Sequence, residues 1–157
     1  MRSSLDSTDL KILEHLQSDQ ALSLDEIAKA INSSKTPVWN RIKKMREAGI
    51  IKHQTTLLDP QALGFEACFF VLIKTSEHDA KWQKSFLRVL QSRPEIMEAH
   101  RLAGDIDYIA KVIVPNAKAY DRFYQELIAE VKIYNVTALL SMEEIKRTTA
   151  LPIRSLP

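Results

Sequence analysis

At 157 residues, 45% apolar and 27% charged, the chain has an ordinary globular composition, enough for one domain or two small ones. It has no apolar run of about 18 residues that could span a membrane, and its single cysteine, Cys68, excludes an internal disulfide framework and a cysteine-based zinc cluster. The net charge of +2 is small, but residues 1–58 hold nine Lys/Arg against seven Asp/Glu and residues 59–157 hold thirteen of each, so the excess lies in the first third.

The N-terminus, MRSSLDSTDL, lacks an apolar signal core, so a cytoplasmic protein is expected. A first helix is expected after Asp6, which caps it with Asp9 at the third position, while Leu5 and Leu10 stand at staple positions. Leu10, Ile12, Leu13 and Leu16 supply its apolar face. A second helix follows the capping box Ser23–Glu26, with Ile27, Ala28 and Ile31 as its inner face, and Asn32–Ser33 turn the chain. The third helix has Pro37 in its first turn and Val38, Ile42 and Met45 facing inward, and it ends at Gly49. From Lys35 to Lys52 there are six Lys/Arg against one acid, Glu47.

A third helix of this kind suits DNA. Short polar side chains at its N-terminal end can approach base edges, and cations along its body meet phosphates. The expected DNA-binding residues are Ser34, Lys35, Thr36, Asn40, Arg41, Lys43, Lys44 and Arg46. Trp39 packs at the rim of the domain or faces the groove, and packing is the expectation. The segment IIKHQTTLL, before Asp59 and Pro60, reads as a short β-hairpin, so residues 1–60 form a winged helix-turn-helix. Such units also serve as dimerisation modules; the basic third helix favours DNA.

Residues 61–157 alternate strands and helices. Strands are expected over Ala67–Lys74, Ile96–Ala103, Tyr108–Val114 and Ile133–Ile145, and helices over Asp79–Gln91 and Ala119–Val131. The order β-α-β-β-α-β gives a ferredoxin-like α+β domain. Strands such as FFVLI and VTALL are apolar on both sides, so the face away from the helices calls for a second copy. Gly104-Asp105-Ile106-Asp107-Tyr108 joins two strands. It is either a simple hairpin turn or a cradle for a zwitterion, with backbone N–H groups for a carboxylate and Asp for an ammonium. His15, His53, His78 and His100 are scattered, and there is no nucleophile elbow, phosphate loop or metal-ligand spacing.

Taken in order, LDSTDLKILEHLQSD, LSLDEIAKAINSSKTPVWNRIKKMREAGII, LLDP, AGDIDY and MEEIKRTTALPI resemble the motifs of the Lrp/AsnC (feast/famine) family across nearly the whole chain. TPVW, FVLIKT, AGDIDY, YDRFY and IKRTTALPI look most like its cysteine-detoxification branch. The resemblance implies a DNA-binding transcriptional regulator of amino-acid metabolism, with a C-terminal RAM domain that dimerises and takes a small amino-acid effector. That effector is cysteine if the branch holds, with no further cofactor and no metal. It also implies dimers that assemble into tetramers or octamers, working at the nucleoid. The family's effector loop maps to Leu102, Ala103, Gly104, Asp105, Asp107 and Tyr108, and the last strand, arriving from a neighbour, to Thr137, Ala138, Leu139 and Leu140. The chain departs from the family where a Pro-Gly turn is usual, having Val131-Lys132, and where small hydroxyl residues are usual, having Ala138 and Leu139. An alternative is an enzyme resembling the sirohaem decarboxylases built on the same fold.

Overall fold

The computed structural model describes residues 5–18, 22–76 and 79–155; His78 lies outside them. The chain folds as two compact units. One comprises the chain up to Thr56 together with the tail from Lys146, and the other is Leu57–Ile145.

The first unit holds α1 (Ser7–Gln17), α2 (Leu24–Ala30) and α3 (Lys35–Glu47). Both expected caps form. Asp6 Oδ1 accepts from Asp9 N–H at 2.8 Å while Asp9 Oδ2 accepts from Asp6 N–H at 3.1 Å. Ser23 and Glu26 make the same reciprocal pair. Ile12, Leu13, Ile27, Ala28, Val38, Ile42 and Met45 form the core. Two Schellman turns position α3. At the end of α2, Ser33 N–H reaches Ala28 O at 2.8 Å and Asn32 sits at φ 53°, in the left-handed region. At the end of α3, Ile50 N–H reaches Met45 O at 2.9 Å and Gly49 takes φ 72°. Asparagine and glycine are the residues that reach this backbone region at least cost.

Two expectations change here. Among the described residues no strand pairing forms between Gly49 and Ala67, so the wing segment is not a hairpin. The run IIKHQTTLL contains no Gly, Asn or Asp to take the positive φ of a tight reversal. The assignment of all of residues 61–157 to one domain also changes, because the tail from Lys146 belongs to the first unit. Gln17 bonds both backbone groups of Leu151, at 2.7 and 3.3 Å, Arg154 forks onto Glu14 at 2.6 and 3.0 Å, and Ile153 packs on the core of the three helices.

Three carboxylates of this unit sit below their ordinary pKa values. Glu14 is lowered chiefly by the Arg154 guanidinium, Glu26 by the Ser23 hydroxyl and Asp6 by the Asp9 N–H. A depressed folded-state pKa means stability that is present above the ordinary value and lost as pH falls through the folded one. The unit should therefore keep its stability down to the ordinary values of 4.5 for Glu14 and Glu26 and 3.8 for Asp6, then lose it below them. Amide exchange in α1–α3 between pH 7 and pH 3 tests this. An acid slope as steep in the Asp6→Asn, Glu14→Gln, Glu26→Gln variant as in the wild type would refute it.

The second unit contains β1 (Ala67–Lys74), α4 (Ala80–Ser92), β2 (Ile96–Arg101), β3 (Tyr108–Val114), α5 (Ala117–Glu130) and β4 (Asn135–Leu140). The sheet order is β2-β3-β1-β4 with antiparallel neighbours, as a ferredoxin-like unit requires. β1 and β3 coincide with their expected spans. β4 is shorter than expected because β1 begins at Ala67; the last bond is Ser141 N–H to Cys68 O at 2.8 Å. β2 ends early because Leu102 N–H turns to Asp107 O at 2.8 Å. α5 starts early because Asn116 caps it through Ala119 N–H at 2.9 Å.

Strand alternation sorts the sheet faces. Phe69, Val71 and Ile73 of β1 and Tyr108, Ala110, Val112 and Val114 of β3 are buried with Phe86, Val89, Leu90, Phe123 and Leu127 of the helices. Cys68, Phe70 and Leu72 point the other way and stay partly exposed, as does Lys111, whose Nζ lies 3.8 Å from Glu144. The helices thus cover one face and leave an apolar one open.

Candidate nucleic-acid interface and effector loop

Burial of Val38, Ile42 and Met45 turns the opposite side of α3 outward. Ser34 caps the helix without a side-chain bond to its backbone, and Thr36 and Asn40 are exposed beyond it. The cations divide by partner. Lys44 has no ion pair among the described residues. Lys43 is 3.9 Å from Glu47, a loose exposed pair, and Arg46 donates to Gln54 at 2.9 Å. Lys35 reaches back to Asp25 of α2 at 2.9 Å. Exposed contacts of this kind are weak and are readily exchanged for a phosphate.

Arg41 is different. Its Nη1 donates to Asp6 and to Asp9, both at 2.7 Å, and the two carboxylates raise its pKa, Asp9 foremost. Its side chain is 37% exposed and that of Asp9 only 15%. In the free chain Arg41 fastens α3 to the capping box of α1. The helix pattern placed it off the inner face, but only the packing of α1 against α3 brings two acids to it. The expectation for Trp39 is corrected. It is 48% exposed rather than packed at the rim, and Lys43 Nζ lies 5.4 Å above its ring.

In the second unit, Leu102–Asp107 closes the β2–β3 end of the sheet. Gly104 takes φ +145°, and a Cβ built there would meet nothing within 4 Å. Only glycine accepts that backbone easily, and the open space leaves the main chain approachable. Leu102, Ala103 and Asp105 are exposed beside it. Asp107 is fixed: its Oδ2 accepts from Thr75 N–H at 2.8 Å and its own N–H donates to Ile73 O at 3.1 Å. Tyr108 contributes only backbone to the loop. Its ring is buried against Phe86, at 4.8 Å and edge-on, and Gln83 donates to its hydroxyl at 3.3 Å.

The register puts Tyr108, Ile73 and Val136 in one row and Thr137 in the next, while Leu139 and Leu140 pair with Phe70 and Phe69 further along. All four β4 residues, Thr137, Ala138, Leu139 and Leu140, are exposed, and within one chain β1 stands between them and the loop. One chain therefore does not bring the two halves of the expected effector site together. Asp107→Ala should lower stability by about 1–2 kcal/mol by removing the acceptor at Thr75, whereas Asp107→Asn keeps an acceptor oxygen and should cost less. Urea unfolding of both variants decides the point, and equal losses would rule out the capping role.

Residues 5–52 match a family model described as winged helix-turn-helix DNA-binding, and residues 68–151 match one described as the Lrp/AsnC ligand binding domain. The chain belongs to the Lrp/AsnC family. It is similar to the DNA-binding transcriptional activator DecR of Escherichia coli, 42% identical over 150 residues that cover 95% of this chain and 99% of that one. It is equally similar, over 149 residues, to the glutamate uptake regulatory protein of Zymomonas mobilis, covering 95% of this chain and 91% of the relative. The solved structure of the Neisseria meningitidis transcriptional regulator NMB0573 in complex with L-Met superposes with a TM-score of 0.90 at 26% identity, over 96% of this chain and 97% of that one.

This Lrp/AsnC protein is a DNA-binding transcriptional regulator with a ligand-binding domain. Its relatives are regulators rather than enzymes, which sets aside the sirohaem-decarboxylase alternative. Its α3 lies within the matched DNA-binding unit. No helix among the described residues is long and apolar enough to cross a membrane.

Proposed function

We propose that this regulator binds operator DNA as a homodimer and senses a free amino acid at the Gly104 loop. Ser34, Thr36 and Asn40 approach base edges, and Lys35, Lys43, Lys44 and Arg46 hold phosphates. Dimers pair through the open sheet face of Phe70, Leu72 and Ile109 and assemble further into tetramers or octamers at the nucleoid. The observation that carries the sensing role is Gly104: an uncovered glycine at a positive φ in the matched ligand-binding domain, with backbone open to solvent. Backbone N–H groups there suit a carboxylate, and Asp105 suits an ammonium. Thr137, Ala138, Leu139 and Leu140 of a neighbouring dimer complete the wall. Support for an amino acid comes from the L-Met complex of the Neisseria relative, and support for cysteine from the likeness to the cysteine-detoxification branch. No other cofactor enters this reading.

An effector at a contact between dimers shifts assembly by its differential affinity for the two assemblies, typically ~1–3 kcal/mol. That changes which spacing of half-sites the paired α3 helices can span. The test is a thermal-shift screen of the twenty amino acids on the full chain, followed by light scattering. One amino acid, cysteine first, should raise the melting temperature by mass action and alter the assembly, and Gly104→Val should abolish both effects. If no amino acid shifts melting at millimolar concentration, the sensing reading fails.

A further inference from the structure

Trp39 is the large apolar side chain that the first unit leaves on its basic helix. Val38 and Ile42, on the same helix, are buried, whereas Trp39 is 48% exposed. A single exposed apolar residue is ordinary on a protein surface; the surroundings of this one are not. Its neighbours one turn away on α3 are Lys35 and Thr36 on one side and Lys43 on the other. The Lys43 ammonium lies over the indole, 5.4 Å from the ring centroid, within the range of cation–π attraction. An indole has only two side-chain torsions to restrict, and a cation stacked on one face restricts them further. The pair therefore presents a rigid apolar edge beside a positive charge, close to the helix N-terminus, where recognition helices meet bases.

The major groove offers one apolar group for such an edge, the 5-methyl of thymine. A protein partner would be a poor match for this surface, because Lys35 and Lys43 flank the indole one turn to either side, the helix carries three further cations, and Glu47 is its one acid. We propose that Trp39, steadied by Lys43, packs against a thymine methyl in the major groove and sets the base preference at one position of each half-site, with Lys43 taking the adjacent phosphate. This rests on the DNA-binding role of α3 and adds a residue that reads sequence rather than charge.

The chain has two tryptophans, so Trp82→Phe leaves Trp39 as the only indole. A random duplex library enriched on the full wild-type chain supplies the probe. In the Trp82→Phe protein, Trp39 emission should move to the blue or be quenched on binding the enriched duplex. Trp39→Ala should lose about tenfold in affinity for that duplex while its affinity for random duplex and its salt slope stay as in the wild type. Uracil in place of one thymine should cost the wild type a similar factor and cost Trp39→Ala nothing further. Trp39 emission that ignores the enriched duplex would overturn the proposal. So would a loss in Trp39→Ala shared equally by enriched and random DNA, or enriched sites in which no thymine is sensitive to uracil. The uracil comparison on the wild type needs no variant, so it decides even if Trp39→Ala folds poorly. A wild type that enriches no sequence would instead remove sequence-specific DNA binding itself.

Discussion

Replacing Lys43, Lys44 and Arg46 together by alanine is expected to flatten the slope of log K against log salt by about 2.7, or roughly 500-fold in affinity at 0.1 M salt. Each phosphate contact releases counterions, and each lost contact removes about 0.9 from the slope. The folded domain should tolerate the change, because none of the three holds a buried partner: Lys43 has a loose pair with Glu47, Arg46 a surface bond to Gln54. Arg41→Ala should behave in the opposite way. It removes the common partner of Asp6 and Asp9, so amide protection of α1 and α3 falls while the salt slope changes little. Titrations of operator DNA from 50 to 300 mM salt, with circular dichroism melts of the same proteins, separate the two classes. A triple variant with an unchanged slope would remove α3 from the DNA interface.

Phe86→Ala is expected to cost about 3–5 kcal/mol, the range for deleting a fully buried aromatic ring. Phe86 is completely buried; its ring stacks on Trp82 at 4.9 Å and meets Tyr108 edge-on at 4.8 Å. Typical domains have about 5–15 kcal/mol of stability in total, so the second unit should be partly unfolded at 37 °C. The loss also reaches the effector loop. Tyr108 follows Asp107 directly, and its ring, held by Phe86, fixes where the loop returns to the sheet. Urea unfolding and amide exchange in β1–β4 measure the effect, with Phe86→Leu expected to lose less. A cost below 1 kcal/mol for Phe86→Ala would mean that this ring is not the centre of the core.

Much of the architecture was legible because it is written in local chemistry. Asp6–Asp9 and Ser23–Glu26 announce two helix starts through side chains that bond their own backbone. Asn32 and Gly49 announce two helix ends because few other residues reach a positive φ. The continuous apolar run of β1, and the run of β3 that Pro115 ends, mark the two central strands, whose spans are readable to the residue. The wing segment forms no hairpin ladder: a β-branched run shows preference for a strand but not whether a partner strand lies beside it. Its sequence lacks the reversal that a hairpin needs. β4 was read too long for a related reason: its length is set by where β1 begins, not by its own residues.

The amino-acid sequence by itself determined the two-part fold, the basic third helix and the glycine turn, since capping, periodicity and charge act over a few residues. Only the tertiary structure decided what individual side chains do. It gave Arg41 to Asp6 and Asp9, turned Trp39 outward under Lys43, buried Tyr108 against Phe86, tied Asp107 to Thr75 and returned the tail from Lys146 to α1. These roles depend on partners far away in the chain, and a side chain's charge or size does not reveal which partner folding will place within reach.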